Sequence, residues 1–284
     1  MNEREQGLNI QRILVALDAS SASLAALEAA VNVAARFDAE LLGLFVEDVD
    51  LLSTAESPFV SEICLVSATR REIKPREVER QLRVRARRVR QRFTLIAQRT
   101  QIRCTFRVER GRVTNELLKA ASEADLVVLG RTGWSLIRRR GLGSTAREVV
   151  SQTPGPVLLL QPEARLGAPI LVVYDSSDPA RRAISAAVEL IDQGPGGLTI
   201  LLLIDGRDEE QIEEMKDEVR EQLGHHRFSV RYRTLTESTA SRLALLVKTE
   251  ERGTLVLPVG GERLKDEAIL SLLEESEVPV LLMR

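Results

Sequence analysis

Apolar and polar positions along this chain form two recurring patterns. Short apolar runs end in turn residues, as in Ile13 to Ser20 (ILVALDAS) and in Leu126 to Leu129, which predicts buried strands. Between such runs, Ser21 to Phe37 repeats apolar residues every three or four positions after a cap at Ser20 or Ser21, which predicts a helix. Strands that alternate with helices imply a parallel sheet covered on both faces. The pattern therefore predicts an α/β fold.

The same reasoning assigns the remaining elements of the first half. Further strands are predicted at Leu41 to Val46, Thr105 to Val108 and Pro154 to Leu160, and further helices at Pro75 to Gln101, Thr114 to Ser122 and Thr145 to Ser151. Residues 53–72 contain Pro58 and Phe59 and are predicted to form a loop that could fold over a ligand.

The second half repeats the first. Ile170 to Ser177 (ILVVYDSS) echoes Ile13 to Ser20, and Pro279 to Met283 echoes Pro156 to Leu160, so the chain is an internal duplication. We expect tandem domains at residues 1–162 and 169–284, joined by the linker Gln161 to Ala168. The second copy is shorter, and most of the difference is expected within Leu51 to Arg99. Its elements are predicted at Ile170–Tyr174, Ala180–Ile191, Leu198–Ile204, Glu209–Leu223, Ser229–Thr234, Ser238–Thr249, Thr254–Pro258, Lys265–Glu275 and Val278–Met283.

Length and composition narrow the class of protein. The 284 residues are enough for two cores, and the chain is 44% hydrophobic but only 3% aromatic. The absence of any apolar run of 18 residues and the polar beginning of the sequence predict neither a membrane span nor a secretory signal. Cys64 and Cys104 lack metal-ligand spacing, so we expect a reduced, cytoplasmic protein.

Charge is distributed unequally between the halves. Residues 1–164 carry a net charge near +5 and residues 165–284 a net charge near −7. This asymmetry is consistent with an anionic ligand on one side or with attraction between the halves. Nucleic acid is not an expected partner, because the imbalance is too small for a nucleic-acid footprint.

The candidate chemistry lies after the strand Leu126 to Leu129. There Gly130-x2-Gly133 is followed, nine residues later, by Gly143-Ser144, at the predicted start of a helix. Glycines permit close approach of the backbone to a ligand, and a helix N-terminus attracts anions. The segment therefore predicts a phosphate cradle, although a tight strand-to-helix connection would have the same spacing.

The spacing G-x2-G-x9-G-[S/T] also resembles the ATP-binding signature of the universal stress protein family. The likeness extends over nearly all of residues 11–162. It includes the opening strand ending in Asp18, Glu47-Asp48 after the second strand, Gly111-Arg112-Val113, Ala124-Asp125 and the closing strand Pro154 to Leu160. The resemblance implies two tandem doubly wound parallel-sheet domains, Rossmann-like and of the adenine nucleotide alpha hydrolase type. It also implies ATP as the cofactor, with or without Mg²⁺.

Site residues follow from the resemblance position by position. It implies that Ala16 and Leu17 form the adenine wall, that Asp18 contacts ribose or adenine, and that the Val46 backbone contacts the base. It further implies that the nucleotide is lined by Leu129, Gly130, Thr132 and Gly133. The phosphates would be contacted by Gly143, Ser144 and Thr145. Asp18 has an alternative role as a cap of the next helix. Thr132 and Ala146 depart from the residues that binding members often carry, which predicts a weaker grip on phosphate.

The second copy lacks the same features. In Leu255 to Leu264 (LVLPVGGERL), Gly260-Gly261 follows the strand but no Gly-Ser comes at the required distance. Asp266 and Glu267 open the next helix, where their charge would repel phosphate. We therefore expect no nucleotide site in this copy, and Asp175 is interpreted as a vestige or a cap.

Two arginine clusters remain open to two interpretations. The helix Pro75 to Gln101 is expected to present a solvated face whose arginines pair with Glu77 and Glu79, and the alternative is a basic docking surface. Arg138 to Arg140 could contact phosphate or solvent. Trp134 is expected to be a loop residue that packs on the domain surface.

No catalytic motif is evident. His225 and His226, the two histidines, are adjacent, and no Walker P-loop, GxSxG, HExxH or CxxC sequence is present. We therefore predict a non-enzymatic, ATP-binding regulatory module that holds its nucleotide in the first domain. A nucleotide-free interaction protein is the alternative, and a slow ATPase is a third. The domains are expected to pair within the chain through Val157 to Gln161 and Val280 to Met283, and a homodimer is also open.

Overall fold

The computed structural model describes residues 9–56, 61–63, 70–72, 75–133, 141–191, 197–204, 206, 208–224, 228–236, 240–249, 253–261 and 263–284. In the first half its elements are β1 (Arg12–Ala16), α1 (Ser21–Phe37), β2 (Glu40–Asp48), α2 (Val49–Glu56), β3 (Ser61–Ile63), β4 (Arg70–Glu72), α3 (Pro75–Thr100), β5 (Cys104–Gly111), α4 (Val113–Ala121), β6 (Leu126–Gly130), α5 (Ser144–Gln152) and β7 (Val157–Leu160). In the second half they are β8 (Ile170–Tyr174), α6 (Asp178–Leu190), β9 (Leu198–Leu203), α7 (Glu209–Leu223), β10 (Val230–Leu235), α8 (Ala240–Thr249), β11 (Thr254–Pro258), α9 (Asp266–Glu275) and β12 (Val280–Met283).

Ten of the strands in the described residues form one sheet, in the order β10-β9-β8-β11-β12-β7-β6-β1-β2-β5. Neighbours are parallel within each half, and β7 and β12 meet antiparallel at the centre, with Leu159 opposite Val280. The strands that were expected to pair are therefore direct neighbours. The doubly wound α/β class predicted from the sequence is confirmed.

The sheet is covered on both faces by cores that extend across both halves. One core contains α1 and α6 residues such as Leu27 and Ile184, together with Leu158 and Leu281 from the central strands. The other contains α5 and α9 residues such as Val149, together with the next residue of β7, Leu159. Because successive residues of a strand point to opposite faces, β7 contributes to both cores and has no solvent-exposed face.

Most predicted elements agree with the structure to within a few residues, but residues 53–72 do not. They were expected to be a loop, whereas residues 53–56 complete α2, and β3 and β4 form an antiparallel hairpin. The Asp48 side chain accepts a hydrogen bond from the Asp50 backbone N–H at 2.9 Å, which favours a helix start there. A helix of eight residues is too short to show a clear period in the sequence.

Candidate functional site

The candidate residues lie at the carboxyl edge of the sheet, where β1, β2 and β6 end. β1 is paired with β2 on one side and with β6 on the other, so it lies at the point where the strand order reverses. Ligands of doubly wound folds bind in the crevice at such a switch point. The edge carries Ala16, Leu17 and Asp18 after β1, Val46 in β2, and Leu129 and Gly130 in β6.

The two glycine turns are in direct contact. The Gly143 N–H donates to the Arg131 carbonyl at 2.8 Å, and a Cβ placed on Gly143 would lie 3.2 Å from that oxygen and 3.6 Å from the Gly133 nitrogen. A side chain on Gly143 would therefore press on the first turn. The glycines at the two ends of the G-x9-G spacing therefore lie next to each other.

Gly130 has a role in helix packing, and its predicted contact with nucleotide stays a prediction. A Cβ there would lie 2.9 Å from the Ala22 carbonyl carbon and 2.9 Å from the Ser23 nitrogen in the first turn of α1. The glycine allows α1 to pack closely on β6, as small residues do at strand–helix contacts of nucleotide-binding folds.

The N-terminus of α5 supplies backbone donors at this edge. Gly143 is its N-cap and has no side chain with which to cap the helix. The first N–H groups of a helix have no intrahelical acceptor. Those of Ser144, Thr145 and Ala146 lie in the first turn of α5, where Ser144 is exposed, Thr145 is half-buried and Ala146 is buried.

Asp18 lies beside the cradle and also organises its own turn. One carboxylate oxygen accepts the Ser20 N–H at 2.9 Å, and Ser20 then caps α1 by accepting the Ser23 N–H at 3.0 Å. The other oxygen faces Gly133, 3.3 Å from the place a Cβ would take. The cap of α1 is therefore Ser20, and Asp18 supports it from the preceding turn.

Two arginines that lie at the site were not predicted from the sequence. Burial lowers the pKa of Arg85, which lies on α3, and the nearby Asp18 carboxylate partly offsets this effect. Arg131, between the cradle glycines, is 2% exposed and contacts the second half. Neither contact could be recognised from sequence, because each joins residues that are distant along the chain. Arg85 brings a positive charge to the candidate site from a helix whose arginines were expected in solvent.

Leu17 and Leu129 offer little surface to a ligand. They are 4% and 3% exposed and pack in the cores on opposite faces of the sheet. Ala16, Val46, Thr132 and Thr145 are half-buried, and Gly133 is exposed. Contact with a nucleotide is therefore easier for this second group than for the two leucines.

The equivalent edge of the second half is closed. Asp175 repeats the turn of Asp18, since its Oδ1 accepts from the Ser177 N–H at 3.2 Å and from the Ser177 hydroxyl at 2.5 Å. Its Oδ2 lies only 2.3 Å from the position of a Cβ on Gly261, and Asp175 is 8% exposed. Asp266 and Glu267 occupy the first turn of α9. These described residues leave little room beside Asp175 and place negative charge at the start of α9, and the lack of a nucleotide site in this half stays a prediction.

Some arginines of the arginine-rich helix α3 contact neighbouring side chains. Arg83 pairs with Glu79 at 2.9 Å, and Arg110 binds the same carboxylate at 3.0 Å and is the main cause of the lowered pKa of Glu79. Arg90 lies 5.2 Å from the ring centroid of Phe106. The solvated-face interpretation accounts for these contacts, and the docking surface stays a prediction.

Several residues discussed in the sequence are not among those that the structure describes. Trp134, Arg138 to Arg140, Pro58, Phe59 and the two histidines lie outside the described residues. Within the described residues, no cluster of three or more His, Cys, Asp or Glu side chains that could hold a metal ion occurs. None of the described helices is long and apolar enough to span a membrane.

These features define a doubly wound α/β protein with a glycine-built candidate anion site at its switch point. The model of the universal stress protein family matches residues 9–161, and the chain belongs to this family. Universal stress protein MJ0531 of Methanocaldococcus jannaschii is 29% identical over 153 residues, which cover 53% of this chain and 82% of that protein.

Two solved structures give the extent of the likeness. A universal stress protein from Archaeoglobus fulgidus is 18% identical, with a TM-score of 0.70 over 96% of this chain and 98% of its own. A universal stress protein solved in complex with cAMP is 21% identical over 55% of this chain and 99% of its own, with a TM-score of 0.36. The first covers both halves, so the fold of nearly the whole chain is shared with a solved structure.

Proposed function

We propose that the protein is a non-enzymatic regulatory module of the stress response that binds ATP in its first half only. The observation that carries the proposal is the contact between the two glycine turns, which brings the uncapped N-terminus of α5 to the carboxyl edge beside Asp18. Free backbone donors at a helix N-terminus fit phosphate, and a carboxylate fits the hydroxyls of ribose. The resemblance of the G-x2-G-x9-G-[S/T] spacing to the ATP-binding signature of the family favours ATP among anions.

The closed edge at Asp175 supports a single site per chain. Titration calorimetry with ATP should therefore give one site. Two equivalent sites, or no heat at millimolar ATP, would contradict the proposal. The Thr132 and Ala146 departures favour a nucleotide-free interaction protein as the second candidate, and the absence of binding would support it. Release of phosphate from labelled ATP would indicate a slow ATPase instead.

Matched substitutions test where the ATP binds. In Asp18→Asn an amide oxygen can still accept the Ser20 N–H, so the turn is kept while the charge is lost. Hydrogen bonds to charged groups contribute more than neutral ones, by about 1 kcal/mol, so affinity for ATP should fall about fivefold to tenfold. Asp175→Asn is the control, because it makes the same chemical change in the same turn of the second half. An equal loss of affinity in both variants would refute the assignment of the site.

A further inference from the structure

The cradle of the first half rests against the end of α9, which belongs to the second half. The Arg131 guanidinium donates to the carbonyls of Leu273 and Ser276, and Arg147 pairs with Glu274. The Gln161 amide also donates to the Ser276 carbonyl, at 2.5 Å. Residues from both sides of the cradle therefore converge on the last turn of one helix.

Arg131 is suited to this contact by charge and shape. The carbonyls at a helix C-terminus lack intrahelical donors and attract cations, and a guanidinium can donate to two of them at once. Burial lowers the pKa of Arg131 to about 10, against the opposing influence of Glu277 and Glu274. The side chain remains protonated at neutral pH, so the contact is charge-assisted.

The backbone of Arg131 also holds both parts of the cradle. Its N–H donates to the Leu160 carbonyl at 2.8 Å, and its carbonyl accepts the Gly143 N–H at 2.8 Å. One residue thus joins the end of β7, the second glycine turn and α9. A displacement of its side chain would be transmitted to the turn that precedes the first N–H groups of α5.

We propose that Arg131 is the positioning residue through which the second half holds the phosphate cradle of the first half in its binding geometry. The inference rests on the proposed function, and it gives the copy without a cradle a role in nucleotide binding. Coupling between two sites is reciprocal in free energy, so ATP bound in the cradle should stabilise the contact between Arg131 and the end of α9.

The chain contains a matched control on the opposite face of the sheet. Arg36, near the end of α1, donates to the carbonyls of Leu190 at 3.0 Å and Ile191 at 2.7 Å, at the C-terminus of α6. It joins the halves by the same chemistry but lies far along α1 from Asp18 and the cradle. Arg36→Met therefore removes an equivalent link between the halves without touching the candidate site.

The experiment compares ATP affinity in Arg131→Met, Arg131→Lys and Arg36→Met. We expect affinity to fall at least tenfold in Arg131→Met and to stay within twofold of wild type in Arg36→Met. Arg131→Lys should lie between wild type and Arg131→Met, since an ammonium keeps the charge but not the fork. Equal losses in Arg131→Met and Arg36→Met, or no loss in Arg131→Met, would overturn the inference while leaving the proposed function intact.

Amide hydrogen exchange of the ligand-free proteins separates failure of the inference from failure of the proposed function. Arg131→Met should speed exchange at residues 130–133, 141–145 and 273–276, and Arg36→Met should not. If wild type binds no ATP, the proposed function fails, and this pattern still decides whether Arg131 holds the cradle. Unchanged exchange at these residues in Arg131→Met would refute the inference that Arg131 holds the cradle.

Discussion

Substitution of Gly130 by alanine tests the packing that brings α1 to the candidate site. The added Cβ would lie 2.9 Å from three atoms in the first turn of α1, namely the Ala22 carbonyl carbon, the Ala22 Cβ and the Ser23 nitrogen. Two of these are backbone atoms and cannot rotate away. Relief of the clash requires α1 to move away from β6.

The size of the effect follows from these distances. Carbon atoms pack at about 3.5–4.0 Å, so α1 must move by roughly 0.6–1 Å. Overpacking of this kind costs about 1–3 kcal/mol in the free energy of unfolding. At about 2–4 °C per kcal/mol for a chain of this size, Tm should fall by roughly 2–12 °C. ATP affinity should fall as well, because Ser20 and Asp18 lie at the moving end of α1.

The matched control is Gly155→Ala, where the nearest atom to an added Cβ is the Asp125 carbonyl oxygen at 4.0 Å. Urea unfolding of the two variants and wild type, followed by circular dichroism, measures the difference. Gly155→Ala should remain within about 0.5 kcal/mol of wild type. If Gly130→Ala were equally stable, the close contact between α1 and β6 would not constrain this position, and the reasoning would be refuted.

Two further predictions concern the centre of the sheet and pH. Leu159→Pro should cause aggregation, because it removes a backbone donor from β7, which is paired with a strand on each side. The control Val230→Pro, at the first residue of the edge strand β10, should not cause aggregation. Equal light scattering from the two variants would count against the sheet order. The pKa of Tyr174 is raised above its unfolded value of about 10, mainly by burial and secondly by the hydrogen bond to Glu218. The contribution of Tyr174 to stability is therefore lost as the pH rises above about 10. Tyr174→Phe should therefore lose stability less steeply than wild type above about pH 10, and parallel curves from unfolding experiments would contradict this.

Much of the fold could be predicted from local sequence because each half repeats short apolar runs and amphipathic helices. The helix Ser21 to Phe37 has the same bounds in the structure, and the strand after Ala124-Asp125 differs by one residue. Periodicity carries this information because burial on a sheet selects apolar residues at fixed intervals. The short α2 and the hairpin of β3 and β4 could not be predicted, since neither is long enough to show a period.

The candidate site was only partly predictable for a different reason. Gly130 and Gly143 were identified by spacing, but spacing did not show that Gly130 contacts α1 and that Gly143 contacts the first turn. Arg85 and Arg131 belong to an arginine-rich helix and to a loop, where sequence favours solvent exposure. Arg85 lies near the Asp18 carboxylate and Arg131 contacts the end of α9, and only the folded chain brings these groups together.

The two aspartates show why a single residue is a weak guide to a site in a duplicated chain. In both halves an aspartate accepts the N–H two residues on, and the residue between them has a positive φ, 69° at Ala19 and 62° at Ser176. This turn positions the serine that caps the following helix, so the fold alone is sufficient reason to keep the carboxylate in both halves. What differs is the loop opposite the second oxygen, which leaves Asp18 half-buried beside Gly133 but covers Asp175 with Gly261. The distance from the carboxylate to that loop therefore distinguishes the halves, since the position of an added Cβ lies 3.3 Å from Asp18 at Gly133 but 2.3 Å from Asp175 at Gly261.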